Sequence, residues 1–161
     1  NAKLDKANLS EGTGREDQMR GAALIEGGGT NADLAKASLC GAIFLSANLS
    51  HANLQEVSLC DTKLQKADLR KAQLLEASLI EANLSQANLE QAKLCGANLL
   101  EANLNQADLT DADLAWANLT QANLREANLR GTNFRNTNLD RAIMPDGKIK
   151  QVQFFCLSST F

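Results

Sequence analysis

The sequence predicts an all-β chain wound into a four-sided parallel coil, and three observations carry that prediction. A large apolar residue recurs at every fifth position, from Leu34, Leu39, Phe44 and Leu49 through to Leu139 and Met144. The residue two places before it is nearly always Ala, with Val57, Thr62, Thr132 and Thr137 as the exceptions. Aromatic residues make up only 4% of the 161 residues, with no Tyr and one Trp, so Leu and Ala must fill the interior. A period of five suits neither a helix at 3.6 nor a flat strand at 2. It requires a chain that turns the same way every five residues, and four such segments close a coil of twenty. If the large residue is position i, then i and i−2 share the inward face of a short extended segment. Position i−1, mostly Asn, Asp or Ser, and positions i+1 and i+2, which vary, face water or form the corners.

The segments SANLS, EANLS, QANLE, GANLL, EANLN and QANLR are near-ideal copies of A-[N/D]-L-x-x. This pattern closely resembles the pentapeptide-repeat family, over residues 1–10 and 31–144. The resemblance implies a right-handed quadrilateral parallel β-helix, and the ending AIMPDGKI resembles those of cyanobacterial members. One domain spanning 1–161 is expected, with coils stacked at about 4.8 Å.

Residues 11–30 keep the count of five but not its chemistry. Gly14 and Gly29 fall on large inward sites, and Asp17 falls on a small one, where it would bury a charge. Thr13-x-x-Glu16 reads as a capping box and Gly27-Gly28-Gly29 as a stop. We therefore expect this stretch to loop out, with a short helix near 14–26 that presents Met19, Ala22, Ala23 and Leu24. The alternative is a degenerate coil with the same count. At the other end Pro145-Asp146-Gly147 signals a turn, and 145–161 forms a tail. Phe154, Phe155, Leu157 and Phe161 are expected to cap the open coil end; dimerisation through the tail is the other reading.

Residues twenty apart stack on one face, which turns the sequence into surface columns. One i+1 column reads Cys40, Cys60, Ile80, Leu100, Thr120, and the neighbouring corner brings Leu75, Cys95, Ala115 and Trp116. Beside the first column stand Asp61, Glu81 and Glu101 at i+2, with Glu56 over Glu76 on the neighbouring corner. A contiguous apolar patch next to an acidic ridge is a candidate protein-docking surface. The alternatives are packing beneath the tail or the 11–30 excursion, and a simply tolerant surface. Charge is uneven along the axis: residues 51–120 carry five basic and ten acidic side chains, residues 121–161 six basic and three acidic.

No catalytic residues, cofactor or metal site are expected. His51 is the only His, and no Ser-His-Asp arrangement can be assembled. The Cys residues have no metal spacing, GGGT lacks the Lys of a phosphate loop, and Asp108, Asp111 and Asp113 lack the EF-hand spacing. Free thiols are expected at Cys40 and Cys60, because in-register strands give awkward Cβ geometry, although stacked Cα atoms lie within reach of a disulfide. No apolar run approaches the ~20 residues of a membrane span. The net charge of −3 argues against direct nucleic-acid binding. The function expected is a non-enzymatic interaction or scaffold module with a protein partner. The resemblance also implies a runner-up, a DNA mimic that binds gyrase. The compartment expected is cytoplasmic, or the thylakoid lumen or periplasm if a leader has been removed.

Overall fold

The computed structural model of the chain describes residues 22–24 and 26–150. Every backbone pairing from Ala23↔Ile43 to Asn123↔Ile143 is parallel and joins a residue to the one twenty further on. Four segments therefore complete each coil, and six coil steps separate Ala23 from Ile143, roughly 29 Å of rise at the usual strand spacing. Four faces result. Face 1 is centred on Ile43, Lys63, Asn83 and Asn103; face 2 on Asn48, Asp68, Asn88 and Asp108. Face 3 is centred on Asp33, Asn53, Gln73 and Lys93; face 4 on Ser38, Ser58, Ser78 and Asn98. The bore holds one Leu and one Ala per segment. Leu54, Leu64, Leu74 and Leu84 have no exposed surface, nor have Ala52, Ala72 and Ala82.

The period of five follows from where the five N–H groups go. In the segment centred on Leu84, the Leu84 N–H donates to Asn103 O of the next coil at 2.8 Å. Gln86 N–H donates to Asn105 O at 2.9 Å, and Asn83 N–H donates back to Thr62 O at 2.8 Å. Ala87 N–H closes the corner onto Leu84 O at 3.0 Å. The fifth donor, Ser85 N–H, is taken by the Asn83 side chain, Oδ1 at 3.1 Å. This last bond explains the Asn or Asp at i−1, whose short side chain reaches the backbone two residues on. The corner bond combined with positive φ at i+2, for example 60° at Gln86 and 56° at Glu81, is the signature of a type II turn.

The ladder begins earlier than the sequence reading placed it. Ala23 pairs with Ile43 and Gly28 with Asn48, and Glu26 has the corner φ of 52°. Residues 22–24 and 26–30 are thus coil, not the helix expected near 14–26, and Gly27-Gly28-Gly29 is a coil segment, not a stop. Gly29 is buried at the large inward site, and a Cβ there would stand 2.7 Å from Leu49 Cδ2. The Leu49 side chain, from the next coil, fills the volume that a larger residue at 29 would have occupied. The repeats at 1–10 and the excursion over 11–21, with its capping box, lie outside the described residues.

At the other end the expected turn is present. Gly147, at φ 80°, donates to Met144 O at 2.8 Å, and the chain reverses so that Ile149 pairs antiparallel with Ile143. Leu129, Phe134 and Leu139 of the last coil are only partly buried, and among the described residues their N–H groups have no backbone acceptor. The tail from 151, with its four proposed capping residues, lies outside the described residues.

Two substitutions test this account by urea unfolding. Leu84→Ala should cost about 2–5 kcal/mol, the usual loss for a fully buried Leu. Gly96→Ala, on an exposed corner at φ 69°, should cost about 1–2 kcal/mol from the left-handed backbone alone. An unchanged Gly96→Ala midpoint would mean that the corners do not depend on that conformation.

Candidate functional site

Face 4 has a floor made of Ser38, Ser58, Ser78, Asn98, Asn118 and Asn138. Among the described residues it is the one face whose i−1 column carries no charge. Face 1 has Lys63, face 2 has Asp68 and Asp108, and face 3 has Asp33, Lys93 and Asp113. The corner leading out of face 4 carries Cys40, Cys60, Ile80 and Leu100; the corner leading into it carries Leu75, Cys95 and Ala115. The coil therefore brings the sequence-predicted residues together, with the two apolar columns edging a single face. Cys40, Cys60, Leu75, Ile80, Cys95 and Leu100 are half-buried, and Ala115 is buried. Trp116 occupies a corner i+2 position at φ 63° and is 65% exposed, the largest exposed hydrophobic side chain described.

The acidic residues line the outer rims of the same two corners. Asp61, Glu81 and Glu101 follow the outgoing corner, and Glu56 and Glu76 the incoming one; all five are exposed. Lys36 lies 3.7 Å from Glu56, with both side chains about half exposed, a geometry that contributes little in water. Glu101 Oε1 accepts from the Gln121 amide at 3.3 Å. Among the described residues Asp61, Glu76 and Glu81 make no ion pair.

The apolar corner residues also mark where the side-chain bond to the i+1 N–H is missing. Cys40, Cys60 and Ile80 follow Ser at i−1, Leu75 follows Gln73 and Cys95 follows Lys93. None of these N–H groups has the Asn or Asp acceptor that serves Ser50, Gln55, Ser85, Glu90 and Asn105. Leu100 and Ala115 keep the bond, to Asn98 Oδ1 at 3.2 Å and to Asp113 Oδ1 at 3.1 Å. The floor column was not singled out in the sequence, although the same step of twenty would have revealed it.

One expectation is corrected here. Cys40 and Cys60 are joined by a disulfide, with Cα atoms 4.6 Å apart, where free thiols were expected. The strand-geometry objection applies to the i−1 ladder. These residues sit at i+1, inside the turn, where stacked side chains leave from equivalent corners within bridging distance. Cys95, half-buried on the other corner, is free.

A second feature lies on the corner between faces 2 and 3, a shallow depression of about 230 Å³ lined by Ser50, His51, Arg70, Lys71, Glu90 and Gln91. Its guanidinium is already engaged: Arg70 Nη2 donates to Asp68 Oδ2 at 2.6 Å and Nε to Oδ1 at 2.9 Å. That hydrogen bond holds the Asp68 carboxyl below the ordinary carboxylate range, and partial burial opposes the shift. Among the described residues no group of three or more His, Cys, Asp or Glu is arranged to hold a metal ion. Asp108 and Asp113 are spent on the backbone, accepting from Thr110 N–H at 2.9 Å and Ala115 N–H at 3.1 Å. No described helix is long and apolar enough to cross a membrane.

The fold and this side-chain arrangement define a four-sided parallel β-solenoid, built from five-residue repeats and presenting its outer columns as surface. The chain belongs to the pentapeptide repeat family: the family's "Pentapeptide repeats" pattern matches in 8 copies, over residues 30–59, 42–79, 72–111 and 107–146. Proteins of this family fold as right-handed quadrilateral β-helices. Among solved structures it is similar to HetL, a pentapeptide repeat protein involved in heterocyst differentiation regulation from the cyanobacterium Nostoc sp. strain PCC 7120. That likeness has 30% identity and a TM-score of 0.52, covering 92% of this chain and 87% of that one. The pentapeptide repeat protein alr5209 from Nostoc PCC 7120 is 44% identical over 53% of this chain and 62% of its own, with a TM-score of 0.31. QnrB1, a plasmid-mediated fluoroquinolone resistance protein, matches at 17% identity and a TM-score of 0.46, covering 89% of this chain and 75% of that one. No curated protein sequence matches the chain.

Two predictions follow from the bridge and the ion pair. Under non-reducing conditions, alkylation and mass spectrometry should find Cys40 and Cys60 unmodified and Cys95 labelled after unfolding. Reducing the bridge, which closes a loop of 20 residues, should cost about 3 kcal/mol. For the pair, the depressed Asp68 pKa adds stability that is present above its unfolded pKa and is lost as pH falls through the folded one. Arg70→Gln should therefore raise the Asp68 pKa, read by NMR titration. The stability gap between wild type and variant should be present at neutral pH and vanish in acid; a gap that persists in acid would assign it to packing.

Proposed function

We propose that the chain is a non-enzymatic interaction module that binds a protein partner through face 4 and its two corners. The observation that supports this reading is the placement of Leu75, Cys95, Ile80 and Leu100 on opposite edges of one uncharged floor, with Trp116 exposed beside them. Apolar columns stacked along both edges of a face are the kind of surface that interfaces use and that isolated repeats have no need to keep. The role that fits is regulatory or scaffolding, since a rod of stacked coils offers extended surface.

The Cys40–Cys60 bridge favours an oxidising compartment, a lumen or periplasm, over the reducing cytoplasm expected from the sequence. Mimicry of DNA finds less support, because exposed Arg125, Arg130 and Arg135 occupy successive corners of the last coil.

The test is affinity capture from lysate of the source organism, using wild type and Leu100→Glu side by side and repeated across a salt series. A protein held by wild type at high salt and lost by the variant supports docking on this face. Identical captures from both baits would overturn it, and gyrase retained only at low salt would favour the DNA mimic.

A further inference from the structure

We infer that the occupant of face 4 is a cationic amphipathic helix of about 13 residues; this rests on the reading that face 4 is the docking surface. Size, length and charge each point to it.

A face spans the three residues from i−2 to i, about 10 Å at strand rise, which matches the roughly 10–12 Å breadth of a helix with its side chains. The floor offers only Ser38, Ser58, Ser78 and Asn98 along the central coils, so a helix can approach closely. Every floor residue is already paired into the ladder, to the coil before, the coil after, or both. Between Ser38 and Asn118 face 4 thus has no free strand edge, and an extended peptide lying across these columns cannot join it by backbone pairing. The apolar corner column runs three coil steps from Cys40 to Leu100, and Thr120 stands one step beyond; the whole column of four steps measures about 19 Å, the length of about 13 helical residues.

Charge selects the sign of the partner. Glu56, Asp61, Glu76, Glu81 and Glu101 stand on the two rims, and Lys36 is the one cation at these corner positions between residues 35 and 121. A helix with small residues over the Ser and Asn floor, apolar residues against the two corner columns and Lys or Arg on both outer flanks would meet apolar surface on either side of the floor and carboxylates beyond it. Stacked carboxylates on neighbouring coils repel one another when the face is bare, and cations between them remove that repulsion.

Trp116, the only Trp in the chain, stands exposed at the edge of this face and serves as the reporter. The probes are synthetic Trp-free peptides of about 14 residues. One carries Leu in a helical stripe and Lys elsewhere; a second is its scrambled form, with equal charge and no stripe; a third has Glu in place of every Lys. The striped Lys peptide should shift Trp116 emission saturably, at least tenfold more tightly than the scrambled one, and the Glu peptide should not bind. Leu100→Glu and the pair Glu81→Lys with Glu101→Lys should each weaken the striped peptide at least tenfold, with far-UV circular dichroism unchanged.

Equal binding of the scrambled peptide would reduce the effect to bare charge attraction and overturn the inference, as would equal binding of the Glu peptide. If no peptide binds while lysate capture stays sensitive to Leu100→Glu, the helix is overturned and the docking face stands. If both fail, both readings fall.

Discussion

The structure depends on the left-handed residue at the third position of each corner. Twenty-one non-glycine residues, from Glu26 to Arg141, hold φ between 52° and 63°, a region that residues with a Cβ enter rarely. Each closes a turn of the same sense at the same interval, and only that regularity lets residue n stand over n+20 along the whole rod. An isolated five-residue corner would not persist, because it orders backbone without burying anything. Stacking changes the balance: each segment gains three inter-coil hydrogen bonds and seals one Leu and one Ala against their equivalents above and below. The strain is local and repeated, and the burial that offsets it is collective.

Register between coils is held by more than the backbone. On several faces the amide of the i−1 side chain donates to the Oδ1 of the residue twenty before it. Examples are Asn118 to Asn98 at 3.1 Å, Asn123 to Asn103 at 3.3 Å, Asn128 to Asp108 at 3.2 Å and Asn133 to Asp113 at 2.9 Å. The chain of bonds has a direction. An Asp serves well beneath an Asn, since its oxygen accepts, but it has no hydrogen to pass downward. Two acids in succession would break the ladder and repel as well. The sequence shows the consequence: on these columns every Asp described is followed, twenty residues on, by an Asn.

The repeat was legible because its signal is periodic and local: Leu, Ala and Asn recur at spacings that admit one geometry. The first coil was misread for the opposite reason. Gly29 at a Leu site looks like a break when judged by its own size, and it fits because Leu49, twenty residues later, leans into the gap. The Cys40–Cys60 bridge was misjudged in a similar way, since the spacing was right and the objection drew on strand geometry that does not govern a corner. For the candidate site, the apolar columns and acidic rims were readable once the step of twenty was known. That they border one face with an uncharged floor required the order of faces around the coil.

A closed ladder also decides where recognition can be written. Among the described coils before the last, the faces have no unpaired strand edge, so a partner lying along them must be distinguished by side chains at i−1, i+1 and i+2. These positions can change without disturbing the bore, provided the i+1 N–H keeps an acceptor or faces water. Around residues 38–95 that provision is relaxed repeatedly, with Ser, Gln and Lys standing where Asn or Asp would complete the corner. The same corners carry Cys40, Cys60, Leu75, Ile80 and Cys95. Departures from a local rule that coincide with exposed or half-exposed apolar residues are where selection for something other than stability is expected. The two also coincide once on face 1, where half-buried Leu45 follows Ile43; their repetition on both corners of face 4 is what sets that face apart.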